Sequence, residues 1–327
     1  MNAMQVASSP HLSRESCSTR RMMLDVLIAL TPPFLFAVWL FGWYAVYQVG
    51  LCVLTCLVSE YVFTWMRGKR PTLGDFSAVI TGMILGLSLP WSAPWYVPVF
   101  GSMVAIGLGK VAYGGLGFNI FNPAMVGRAF VMVSFATAMG SGAYLATSEA
   151  DYPSIVTQPT PMMQLKSGAG AEMSETTAWQ AMLLGKRNGS LGEVSVLAIL
   201  LGGTYLVVRR TASWRVVLGM LGTVFGLGMM SSVACCPIQS GAIYLLSGAV
   251  LFGAFFIATD PVTNPVTPWG QWIFGIGTGA LTMLIRVFSG YPEGVMFAVL
   301  IMNALVPMIN NGTIPKAFGA VPPTGAK

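Results

Sequence analysis

Few side chains in this 327-residue sequence could do acid–base, nucleophilic or metal chemistry. There is one histidine, His11, in a polar N-terminal tail. There are five cysteines, Cys17, Cys52, Cys56, Cys235 and Cys236, none of them in a CxxC pair. A zinc or iron–sulfur site needs clustered thiolates or imidazoles, so sequence-local residues cannot supply a four-cysteine cluster, and haem ligation by histidine is implausible. Cys52 and Cys56 stand one helical turn apart in an apolar run and read as packing. Cys235 and Cys236 end another apolar segment and read as buried, with a membrane-depth cluster shared with another subunit left open. No GxxxxGK[ST], GxSxG or HExxH motif is present. Gly114-Gly115-Leu116-Gly117 does not follow a strand and reads as a membrane-edge turn, not a phosphate cradle. Without a side-chain catalytic constellation, transport or cofactor chemistry is favoured.

The remaining candidates are charges in apolar surroundings and one hydroxyl. Arg128 lies about one and a half turns into the helix of NPAMVGRAF, and Arg286 lies late in another apolar run. Either could snorkel to an interface or bind an anionic group such as a flavin or lipid phosphate. Asp260 and Glu293 fall at helix breaks, and Asp25 and Glu60 near the ends of apolar runs. Carboxylates so placed are helix caps or, less commonly, ion-coupling groups. Thr160 stands between Pro159 and Pro161 in the segment Asp151–Met162. The prolines constrain that backbone to extended geometry and would hold the hydroxyl clear of it.

The elements that carry these residues are membrane helices. The chain is 55% hydrophobic and only 9% charged, against about 25% charged in soluble domains. Spans of about 20 residues leave room for ten, at about 22–41, 43–66, 76–91, 94–112, 123–141, 194–209, 214–234, 240–258, 269–289 and 291–310. The third ends at Leu89-Pro90 and the eighth runs into Thr259-Asp260-Pro261. The net charge of +6 then reads as a topology signal and not as nucleic-acid binding. With the N-terminus in the cytoplasm, twelve of the 17 Lys and Arg fall inside, from Arg14, Arg20 and Arg21 to Lys316 and Lys327. Lys166, Lys186 and Arg187 fall outside. Both termini are thus expected in the cytoplasm. The first 21 residues lack the apolar core of a cleaved signal peptide. The expected organisation is an N-terminal tail at 1–21, a first membrane half at 22–141, a polar outer loop at 142–193, a second half at 194–310 and a tail at 311–327.

Residues 82–130 and 253–304 share a pattern: apolar helix, Pro-rich break, a Trp followed by Phe-Gly, second helix, Gly/aromatic turn, third helix. The copies are five spans apart, an odd number, so they must lie in opposite orientation. Inverted repeats with broken helices are a transporter-like architecture with the functional site near the midplane. The expected fold is an all-α polytopic membrane protein of about ten helices.

The stretch Gly117-Phe118-Asn119-Ile120-Phe121-Asn122-Pro123-Ala124-Met125-Val126-Gly127-Arg128-Ala129-Phe130 resembles the corresponding stretch of the NqrB/RnfD family. So do Ala258-Thr259-Asp260-Pro261-Val262-Thr263, with Pro268, Gly270 and Gln271, and Tyr291-Pro292-Glu293-Gly294-Val295, with Phe297, Ala298, Met302 and Asn303. The match runs over about residues 20–312, and the short tails favour the RnfD branch, from the Rnf electron-transport complex. The resemblance implies a urea-transporter-like bundle with FMN attached through its phosphate to a threonine. That motif stands here as Thr157-Gln158-Pro159-Thr160-Pro161, with Thr160 the acceptor; Pro159 replaces the family's usual Ala, while Asp151, Thr157 and Pro161 keep the frame. It also implies a non-covalent flavin, riboflavin, in the bundle, for which Arg128, Asn122 and Asp260 are candidate contacts. The implied role is an electron relay, not a substrate-converting site, in an inner-membrane complex working between ferredoxin and NAD and coupled to sodium or proton movement. Its implied partners are the other subunits, one with its own covalent FMN, and a flavin transferase. The competing expectations are a solute channel or transporter of the same fold and a purely structural subunit.

Overall fold

The computed structural model describes residues 19–69, 73–90, 92–140, 143–146, 154–157, 190–193, 195–230, 237–246, 249–289 and 294–314. Those residues are helical except for turns and one short antiparallel strand pair, β1 (Ala143–Ala146) and β2 (Ser154–Thr157). The pair lies within the stretch read from sequence as a polar loop.

Among the described residues, each of the ten apolar stretches carries helix. The first two are α1 (Thr19–Phe41) and α2 (Trp43–Met66), joined at Gly42, whose φ of 60° is a left-handed turn. Helix α3 (Ser77–Ser88) ends immediately before Leu89-Pro90, where a proline disfavours helical geometry in the residue ahead of it. Helix α4 (Tyr96–Ile106) continues as a π-helical turn over Gly107–Val111. Helix α5 (Pro123–Ser134) starts with proline at its first turn and Asn122 as N-cap, a pairing that suits a helix start. A short α6 (Ala136–Gly140) follows.

In the second half come α7 (Val196–Val208), capped by Ser195, α8 (Trp214–Met230) and α9 (Pro237–Leu246). Helix α10 (Val250–Phe252) runs on as a second π-helical turn, Gly253–Ile257. Last are α11 (Pro268–Phe288), capped by Thr267, and α12 (Val295–Thr313). Among the described residues, α1, α2, α11 and α12 are long and apolar enough to cross a membrane. At 1.5 Å per residue, α1 is about 35 Å long. Helices α3, α4, α5, α7 and α8 are shorter and apolar.

Helix α2 packs on α3 and α4, α1 on α7, α8 on α9 and α11, α11 on α12, and α5 on both α4 and α12. Close approach depends on small residues, as membrane helix contacts do. A Cβ on Gly275 of α11 would sit 2.6 Å from the Val216 carbonyl oxygen of α8, and one on Gly82 of α3 would sit 2.6 Å from the Val53 Cα of α2.

The exterior is apolar, with Leu54, Val133, Leu201 and Phe288 exposed. Exposed aromatics gather at both ends: Trp39, Trp43, Tyr44 and Tyr47 beside the α1–α2 turn, and Trp65, Phe118, Trp214 and Trp269 at the far end. Paired aromatic belts are the signature of the two membrane–water interfaces. The far end also holds Arg67, Arg209, Arg210 and Arg215, just outside α2, on the α7–α8 turn and at the start of α8.

Candidate functional site

A pocket opens at the basic end between the halves of the chain. Its enclosed part is about 70 Å³, and its mouth is open to solvent. Helix α1 lends Met23 and Val26, α3 lends Ser77, Ile80, Thr81 and Ile84, and the first π-turn lends Lys110. The start of α5 lends Asn119, Asn122, Pro123 and Ala124. From the second half come Leu206, Thr211, Phe256, Thr259 and Asp260. Both π-turns thus border one cavity. Such turns frequently mark functional sites, because the extra residue shifts side chains out of helical register.

Asn122 joins the halves. Its Oδ1 accepts from the amides of Ala124 (3.1 Å) and Met125 (3.4 Å), and its Nδ2 donates to the Ile257 carbonyl at 3.4 Å. The side chain is 3% exposed, so it both starts α5 and holds that helix against the second π-turn. Asp260 lies in the turn after that π-segment. Its carboxylate accepts from the Val262 amide (3.2 Å) and the Thr263 hydroxyl (3.3 Å). It stands on the pocket wall, bound to its own turn.

Residue spacing gives no sign of the most polar feature of the wall. Lys110 is 2% exposed and donates to Glu60 Oε1 at 2.6 Å and to Ser77 Oγ at 2.5 Å. Ser77 in turn donates to Asp75 Oδ1 at 2.7 Å. By position Lys110 counts among the inner-side charges, near the end of the fourth apolar stretch, and Glu60 reads as a helix-end cap. The Glu60 reading is corrected: Glu60 and Lys110 form a buried pair joining the π-turn to α2. Asp25 likewise caps nothing, accepting from Tyr205 (3.1 Å), Arg209 (3.3 Å) and Thr211 (3.5 Å). It ties α1 to the end of α7.

Arg128 does not join Asn122 and Asp260 at the pocket. It is 3% exposed and faces Glu193, with Nη1 3.7 Å from Oε1. The residues before Glu193 are pinned to α3, the Leu191 and Gly192 amides donating to the carbonyls of Leu89 and Leu87. Arg128 therefore links α5 to the segment pinned on the C-terminal end of α3 and is not a snorkelling side chain. Nor does Arg286 snorkel. It is 1% exposed and donates to the Tyr244 carbonyl at 2.8 Å. Cys52 and Cys56 are buried free thiols, as packing requires. Among the described residues no group of three or more His, Cys, Asp or Glu could hold a metal ion.

The pocket wall is mostly apolar with one polar edge. Met23, Val26, Ile80, Ile84, Leu116 and Phe256 supply apolar wall, while Lys110, Ser77 and Asn119 supply polar groups. Asn119 donates through Nδ2 to the Phe121 carbonyl at 3.3 Å. Its Oδ1 is buried with no hydrogen-bond partner among the described residues. A buried acceptor left unsatisfied costs about 1–3 kcal/mol, which an N–H of a bound ring would recover. Of the residues expected to frame a flavin attachment, Thr157 ends β2, and its backbone pairs with Ala143. Asp151, Thr160 and Pro161 lie outside the described residues, as does Glu293.

Residues 5–319 match the family model described as the NQR2, RnfD, RnfE family. Among curated proteins, the chain is 40% identical over 325 residues to the D subunit of the proton-translocating ferredoxin:NAD(+) oxidoreductase complex of Clostridium ljungdahlii, covering 97% of each. It is 39% identical to the D subunit of the Na(+)-translocating ferredoxin:NAD(+) oxidoreductase complex of Acetobacterium woodii, covering 96% of this chain and 95% of that protein. To the D subunit of the ion-translocating oxidoreductase complex of Stutzerimonas stutzeri it is 41% identical, covering 92% of each. With a model matched over nearly its whole length and these relatives over nearly all of theirs, the chain belongs to the NQR2, RnfD, RnfE family.

Proposed function

We propose that this protein is the D-type membrane subunit of an Rnf-type ion-translocating electron-transport complex. In this reading it relays electrons through flavin between ferredoxin and NAD chemistry housed in partner subunits. The observation that carries the reading is the match over nearly the whole chain to D-type subunits of such complexes; a pocket with a mostly apolar wall and one polar edge supports it. FMN is held on Thr160, whose hydroxyl forms the phosphoester, and riboflavin occupies the pocket. Flavin supplies the redox chemistry, which side chains of this kind do not supply by themselves.

The chain's own residues bind and orient. Asn122 fixes the start of α5 against the second π-turn, Asn119 offers its open acceptor to the ring, and the apolar wall excludes water. Asp151, Thr157 and Pro161 frame the acceptor threonine for the flavin transferase. The complex supplies the remaining partners, including a second subunit with covalent FMN. It resides in the bacterial inner membrane, with both termini in the cytoplasm and residues 142–193 outside. On that topology the pocket faces the cytoplasm, because Lys110, Thr211 and the Arg209–Arg215 turn share its end. The two flavin positions are then on opposite sides of a hydrocarbon layer about 30 Å thick, and partner carriers must connect them. The two look-alike halves are inverted repeats, and Asn122 holds them together.

The test is in-gel flavin fluorescence after denaturation, with the flavin transferase co-expressed. The native chain is expected to give a fluorescent band and Thr160→Val none. A band that persists in Thr160→Val overturns the attachment, and a native chain without bound flavin favours a channel or a structural subunit.

A further inference from the structure

The pocket has an electrical asymmetry that ring packing alone does not require. Lys110 and Ser77 line it, whereas Glu60 and Asp75 do not. Lys110 thus borders the cavity, while the carboxylates its ammonium faces, Glu60 Oε1 at 2.6 Å and Asp75 Oδ2 at 3.9 Å, belong to residues that do not. An ammonium has three N–H donors. Glu60 and Ser77 take two, and Asp75 is beyond hydrogen-bond range, so one remains for the cavity.

Two helix starts face the same space. Ser77 opens α3 and Pro123 opens α5, and both line the wall. Each helix has twelve residues, and the N-terminal end of a helix carries about half a positive charge. Broken membrane helices use such ends to hold anionic groups. The opposing charges are Asp260 on the wall, whose carboxylate is engaged by Val262 and Thr263, and Asp75 behind it, which accepts from the Ser77 amide at the start of α3 at 2.9 Å.

We propose that Lys110, locked in place by Glu60 and Ser77, is the electron-sink clamp of this pocket: it donates to a carbonyl oxygen on the electron-poor edge of the bound ring and stabilises the negative charge the ring carries when reduced. The proposal rests on the pocket holding a flavin. The electron comes from a one-electron carrier of a partner subunit and stays on the ring. No bond of this chain forms or breaks, and Lys110 keeps its proton. Glu60 is a positioning residue: it fixes the ammonium and tempers its field. An unpaired buried ammonium would be costly, and the ion pair is what lets a lysine stand here at all.

The two members of the pair should therefore move the ring's reduction potential in opposite directions. The full chain carrying Thr160→Val, so that the non-covalent flavin alone absorbs, is purified in detergent and titrated spectroelectrochemically. Lys110→Gln is expected to disfavour reduction by about tenfold, or about 59 mV for a one-electron step. Lys110→Arg should stay close to the starting value, and Glu60→Gln should shift the other way. Because a lone buried charge can unfold the protein, the paired variant Glu60→Gln/Lys110→Met removes both charges together, and it too should lower the potential. Equal potentials in the starting chain, Lys110→Gln and the paired variant would overturn the clamp while leaving the flavin site standing. Loss of flavin in Lys110→Arg as well as Lys110→Gln would also overturn it, since a purely structural role predicts that result. Absence of acid-released flavin from the starting chain would overturn the pocket reading and the clamp together.

Discussion

At the residue scale, the chain invests its few polar groups in holding elements together. Asn122 serves α5, the second π-turn and the pocket through one amide. Replacing it with alanine removes the cap, at a cost of about 1 kcal/mol, and frees the Ile257 carbonyl. Asn122→Ala should therefore lower the melting temperature in detergent and release more than half of the non-covalent flavin during purification. Unchanged flavin content would show that the amide serves only the fold. The same economy explains what sequence reading misses. Lys110 lies 50 residues from Glu60 and 33 from Ser77, and no spacing rule connects positions so far apart. Counting basic residues to orient the spans places Lys110 on the inner side, near the end of its apolar stretch, and assigns it no partner. Only the packing of the π-turn on α2 turns it inward. Arg128 is legible as an intramembrane charge, but its partner Glu193 comes from the far side of a loop, so its direction is not.

At the element scale, every apolar stretch carries helix among the described residues, because runs of apolar residues bounded by Pro, Gly and capping residues are local signals. Asn122-Pro123 and Thr267-Pro268 each place an N-cap before a first-turn proline, and both helices begin there. The two π-turns are not legible, since they add one residue to a turn without changing composition. The repeat pattern predicts a functional site near the midplane. The pocket described above lies where α3 and α5 begin and borders both π-turns. Glycine contacts set the helix spacing there. Gly275→Leu should clash with the Val216 carbonyl and cost about 1–3 kcal/mol or more, read as loss of folded protein in size-exclusion chromatography. Gly222→Leu on α8, with open space around its Cβ position, should leave the profile unchanged. Similar losses in both variants would refute this account of the spacing.

For the whole molecule, an apolar exterior, two aromatic belts and a core threaded by buried ion pairs describe a multi-pass membrane protein of the NQR2, RnfD, RnfE family. Its low charge follows from that: with 9% charged residues, the chain has little polar material for side-chain catalysis, and the proposed flavin would supply the redox chemistry instead. The central claim is that the cofactor is fixed on Thr160, a position legible only from the resemblance and lying outside the described residues. Mass spectrometry of the tryptic peptide between Arg128 and Lys166 reads it directly, on chain co-expressed with the flavin transferase. The peptide should carry the mass of phosphoester-linked FMN, with fragment ions placing it on Thr160. A peptide recovered without flavin, or with the flavin on another hydroxyl, would refute the assignment.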